Sequence, residues 1–227
     1  MKTAFRGFTP EGIAFLKDLA ANNDREWFTP RKPVFDATVR LPMIELVGAL
    51  HREMLRFAPA YVGEPAKCVF RIYRDTRFSK NKTPYKTHIA ASFWRNDLEK
   101  NGGAGYYFSV SPEEIEIAGG LYSPEPDTLL AVRQHIAENF TEFKRLCEAR
   151  GFKALLGALQ GASATRPPRG FDPAHPEIDL LKRKQYFVFI TLDPALATGP
   201  RLFREIVKRF EAITGFNEFL NRPLRTR

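Results

Sequence analysis

The 227 residues include only two cysteines, Cys68 and Cys147, without CxxC spacing, so they form neither a disulfide framework nor a zinc pair. Four histidines, His51, His88, His135 and His175, are scattered with no HxH or HExxH arrangement, and no metal or cofactor is expected. No apolar run approaches the roughly 20 residues that a bilayer demands, and the opening Met-Lys-Thr-Ala-Phe-Arg-Gly-Phe lacks the unbroken apolar stretch of a secretory signal. A soluble, cytoplasmic protein with reduced thiols and no membrane partner is therefore expected. A GxSxG elbow is missing, as is any fixed-period repeat. The glycine-rich residues 101–105 precede a strand pattern instead of a helix, which excludes a dinucleotide fingerprint and a P-loop and suggests a flexible hairpin turn.

What is present is apolar surface and positive charge. A 44% hydrophobic content with twenty phenylalanines supplies enough area for a packed interior, and the length fits one domain spanning residues 1–227. The net charge of +9 raises the prospect of a phosphorylated, acidic or nucleic-acid partner, although charge alone serves solubility and steering.

Thr9-Pro10-Glu11 reads as an N-cap, a first-turn proline and a dipole-favoured acid, opening a helix that Asn22-Asn23 ends. Phe35, Val39, Met43, Leu46, Leu50, Met54 and Phe57 then recur at helical spacing, with Pro42 kinking or restarting the helix. Alternation predicts strands over residues 67–73, 88–94, 105–111, 114–121 and 186–192, with Ser111-Pro112-Glu113 as a tight turn. Ser123-Pro124-Glu125 repeats the capping signature ahead of a helix, and a second helix over residues 140–150 closes at Gly151. The Gly-, Pro- and Arg-rich residues 161–176 read as a loop, and residues 200–214 as a final amphipathic helix. Helices, a run of strands and more helices imply an α+β fold: a mainly antiparallel or mixed sheet with helices mostly on one face.

The densest chemistry lies in residues 71–86, where Arg71, Arg74, Arg77, Lys80, Lys82 and Lys86 face the single acid Asp75. Six cations in one segment repel unless an anion or solvent accommodates them. Arginine forks suit phosphate or carboxylate, lysines add mobile charge, and Tyr73, Phe78 and Tyr85 offer rings for stacking. The segment is thus expected to hold a small anion through Arg71, Arg74, Arg77, Lys80, Lys82 and Lys86, with Tyr85 flanking it. If the late strand pairs beside residues 67–73, Lys184 and Arg169 come within reach of the same anion. The plainer alternative is a solvated or internally paired edge. Asp75, Tyr85 and His88 are the candidates for proton transfer, and Asp75 is better suited to orienting an arginine, though the spacing leaves its partner open. Glu113, Glu114 and Glu116 read as solvated edge charges, and the aromatics of residues 105–110 as alternating core side chains.

The run from Phe70 through Arg71, Ile72, Tyr73, Arg74, Asp75, Thr76, Arg77, Phe78, Ser79 and onward to Lys86-Thr87 resembles the bacterial and fungal family known as domain of unknown function 2461. Asn22-Asn23, Glu26-Trp27-Phe28, Gly119-Gly120, Arg133, Pro168-Arg169-Gly170-Phe171 and Leu181-Lys182 fit its pattern as well. The resemblance implies a single α+β domain of about this length and no particular reaction. Three functions follow from the residues: binding of a small phosphate- or carboxylate-bearing ligand, binding of nucleic acid through the wider basic surface including Arg166, Arg169, Lys182, Arg183 and Lys184, and a hydrolase or transferase acting on a phosphorylated substrate. The concentration of cations in one segment favours the first.

Overall fold

The computed structural model describes residues 5–99 and 101–225. Helix α1 (Pro10–Ala21) starts as its sequence dictates, with the Thr9 hydroxyl accepting from the Gly12 amide at 3.2 Å and Phe15, Leu16 and Leu19 buried. Asp24 then caps α2 (Arg25–Phe35), accepting from the Trp27 amide at 2.8 Å. This helix runs through Pro30 and Pro33 into a π-helical turn, Asp36–Arg40, and straight on into α3 (Leu41–Phe57). Pro42 follows directly on the π-helical turn, whose wider winding makes room for a proline ring, so the helix continues through it instead of breaking.

The expected strand over residues 67–73 does not form. Residues Pro65–Cys68 make one helical turn, α4, and only isolated bridges follow, Val69 to Ala91 and Tyr73 to Tyr85. After Phe70, whose amide donates to Ala90, the chain leaves the sheet. The Lys86 amide then donates to Ile72 and the Arg74 amide to Pro84, so residues 74–84 form a loop closed upon themselves.

The strands β1 (Ile89–Phe93), β2 (Gly105–Val110), β3 (Ile115–Leu121) and β4 (Tyr186–Leu192) form an antiparallel sheet in that order. At the β2–β3 turn the Ser111 hydroxyl accepts from the Glu113 and Glu114 amides and donates to the Glu114 carbonyl. Between β3 and β4 lie α5 (Pro126–Glu138), α6 (Phe140–Glu148), α7 (Arg150–Leu156), a loop and the short α8 (Ile178–Leu181). The caps differ locally from expectation: Glu125, not Ser123, precedes α5, and α7 passes through Gly151 to end at Gly157, whose positive φ of 72° suits a glycine. Helix α9 (Arg201–Asn221) extends a further two turns beyond its expected end and packs Phe210 against Phe93, Tyr106 and Phe108. The same face of the sheet carries Ile117, Val188 and Tyr186 into one hydrophobic core with α3, α6 and α7. The fold is α+β.

Candidate functional site

Each member of the basic segment has a definite place. Tyr85 is not a flanking wall but a buried anchor: its ring lies 4.2 Å from Phe28 and 5.5 Å from Tyr73, between centroids. Asn23 clasps it, donating to the Tyr85 carbonyl and accepting from its amide, both at 3.0 Å. Asp75 pairs with Arg77 in bidentate fashion, at 3.0 and 2.7 Å, and takes the Arg77 amide as well. These bonds hold its carboxyl at about 2, so it stays ionised and orients the arginine. Arg74 is bonded to the Thr83 hydroxyl, Lys82 donates to the Thr76 carbonyl, and Lys80 is exposed.

Lys86 turns the other way. Its ammonium lies 5.0 Å over the Phe70 ring and donates to the Arg71 carbonyl at 3.1 Å, and burial, then the Arg71 charge, lowers its pKa. The conditional meeting with Lys184 and Arg169 does not arise. The late strand pairs with β3 at the far edge of the sheet, where residues 160–164, not the basic segment, run alongside: the Lys184 amide donates to Ala162 and Gln160 bridges Phe187.

Two cavities flank Phe70. The smaller, about 290 Å³, opens between the π-helical turn and residues 70–73, over Phe28 and Ile72. Lys32, Arg40 and Arg71 reach it against one carboxylate, Asp36, which Lys32 already holds at 2.5 Å. Among the described residues the guanidinium groups of Arg40 and Arg71 make no hydrogen bond and no ion pair. Sequence reasoning missed Lys32 and Arg40, because their approach to Arg71 depends on how α2 and α3 dock and leaves no spacing signal.

The larger cavity, about 430 Å³, lies on the sheet face turned away from α9 and is lined by aromatic rings, with Glu116 at its floor. Glu116 is therefore not an edge charge: it stands half-buried on the inner strand β3 and accepts from Ser109 at 2.7 Å and from Tyr107 at 3.3 Å. Tyr107, pushed up to about 12 chiefly by burial, shares this face instead of the core. His88, one residue before β1, is half-buried, and desolvation depresses its pKa despite the attraction of Glu116. Its imidazole is thus neutral near pH 7. Among the described residues no group of three His, Cys, Asp or Glu side chains is arranged to hold a metal ion, and no helix is long and apolar enough to cross a membrane.

A family model described as conserved hypothetical protein (DUF2461) matches residues 11–219. No curated protein and no solved structure matches the chain.

Proposed function

The chain belongs to the DUF2461 family, whose description names no reaction, and from its own geometry we propose that it binds a small phosphate- or carboxylate-bearing anion between the π-helical turn and residues 70–73. One observation carries this reading: Arg40 and Arg71 converge on a single cavity, and neither guanidinium has a partner among the described residues. A planar fork with free donors is well matched to two oxygens of an oxyanion, and Lys32 adds a third positive charge at the rim. The rest of the basic segment is largely occupied with itself, so Arg74, Arg77 and Lys82 shape the loop and add long-range field. Lys86 supports Arg71 by holding its carbonyl.

Proton transfer by Asp75 or Tyr85 receives no support from this geometry, since one is locked to Arg77 and the other is buried against Phe28. Binding, without turnover, is the reading that the site favours. Titration calorimetry with inorganic phosphate tests it. Wild type is expected to bind saturably, Arg40→Ala and Arg71→Ala each about tenfold more weakly, and Arg77→Ala nearly as wild type. Equal phosphate affinity in wild type and the Arg40→Ala/Arg71→Ala double variant defeats the proposal. Oligonucleotide binding that falls steeply with salt, unaccompanied by phosphate binding, replaces it with the nucleic-acid reading.

A further inference from the structure

The strand register explains why the face of the sheet away from α9 is concave. One row across it reads Gly105, Gly120 and Phe187, and Trp94, the residue after β1, closes the other side, so that two rings flank two glycines. The indole lies over Gly105, since a Cβ placed there would come within 2.7 Å of Trp94. The neighbouring row sets Ala118 between Tyr107 and Phe189, and the next holds Ser109 and Glu116 side by side. Phe70, 6.3 Å from the Tyr107 ring, and Tyr122, edge-on to Phe187 at 5.1 Å, extend the walls.

Two polar groups on this surface have capacity to spare. Both hydroxyl donors of Glu116 bond its Oε2, leaving Oε1 without a hydrogen bond among the described residues. Ser92, only 7% exposed, lines the trough, and its hydroxyl also has no partner there. Aromatic walls over a floor of alanine and glycine favour a flat ring, and a carboxylate oxygen in apolar surroundings calls for an N–H donor and repels an anion. We propose that the trough binds a planar nitrogen heterocycle of nucleobase size bearing an exocyclic amine. Its ring lies over Ala118 and Gly120, and the amine donates to Glu116.

This site goes beyond the anion cavity, because a neutral ligand satisfies it without Arg40 or Arg71. The probes are accordingly uncharged: adenosine, and purine riboside, which keeps the ring system but lacks the amine. Calorimetric titration of the full chain is expected to show saturable adenosine binding and at least about fivefold weaker purine riboside. Glu116→Gln lowers adenosine affinity by about fivefold or more, Ala118→Leu abolishes it by filling the trough, and Arg40→Ala/Arg71→Ala leaves it intact. Circular dichroism checks that the variants fold, and Glu116→Gln carries the test alone if Ala118→Leu does not. Absence of saturable adenosine binding, equal affinity for the two probes, or indifference to Glu116→Gln overturns the proposal. Failure of phosphate binding alone leaves it standing.

Discussion

Asn221 shows how one residue can organise a loop. It is fully buried at the end of α9, accepts from the Ala104 amide at 2.7 Å, and donates to the Ala104 carbonyl at 2.8 Å and the Tyr61 hydroxyl at 2.9 Å. Asn217, one turn earlier, donates to the Gly105 carbonyl at 3.0 Å. Gly103 must be glycine for this clasp, since a Cβ there would stand 2.4 Å from the Asn221 oxygen. Gly103 thus serves close approach to α9 within the connection that joins β1 to β2, where the composition of residues 101–105 suggested a flexible hairpin turn. Asn221→Leu leaves an amide, a carbonyl and a hydroxyl unmet, at about 1–3 kcal/mol for each group that water cannot reach. Urea denaturation is expected to show a loss of at least about 2 kcal/mol; an unchanged midpoint would mean that the loop finds other partners. Arg95 illustrates the same economy with charge, being 6% exposed, bidentate to Asp97, bonded to Glu218 and stacked 5.5 Å over Tyr61.

At the scale of elements, the contact between α9 and β3 holds the sheet to the helices. It depends on Gly119, whose added Cβ would meet a methyl of Ile213 at 2.4 Å. Gly119→Val should push α9 from the sheet and cost about 1–3 kcal/mol. Ile213→Ala in the same chain should recover part of that loss, so a double-mutant cycle by denaturation would return a favourable coupling. Additive effects would show that the helix docks elsewhere. A matching device joins α1 to the π-helical turn, where Gly12 approaches the Thr38 carbonyl so closely that a Cβ would lie 2.3 Å away. That contact positions the turn bearing Arg40, and so links the packing of the first helix to the anion cavity.

Over the whole molecule, acid lability follows from the histidines. His51, His88 and His135 all have pKa values lowered primarily by burial. Each is held neutral in the folded state while the unfolded chain takes up protons near the ordinary value of 6.5. Their contribution is therefore complete above about pH 6.5 and declines as pH falls below it. Melting temperatures should stay level from pH 8 to 7 and drop between pH 6.5 and 5. That window lies above the range in which the salt-bridged Asp97, Glu142 and Glu205, with lowered pKa values, become protonated. His51→Leu, which removes an imidazole packed edge-on to Phe93, should flatten the drop; an equally steep decline in this variant would assign it to other groups. The charge of +9 draws anions from a distance, yet most of the basic segment is spent on its own loop.

The sequence by itself determined what is local. The Thr9 cap, the apolar stripe of α3, the Ser111 turn and the alternation of β1 to β4 were legible because each depends on neighbours a few residues away. The matching motif likewise made the family and its α+β class legible. Alternation over residues 67–73 misled for the complementary reason: a period of two shows which residues suit a strand, not whether a partner edge continues. Here the edge ends at Phe70 when residues 84–86 claim the chain. Tertiary structure alone decided that Tyr85 is an anchor, that Asp75 pairs with Arg77, that Arg40 and Arg71 line one cavity, and that Glu116 faces an aromatic trough. Each of these rests on which helix or strand lies opposite, a choice made by burial of the whole core and not by the spacing of the residues that benefit from it.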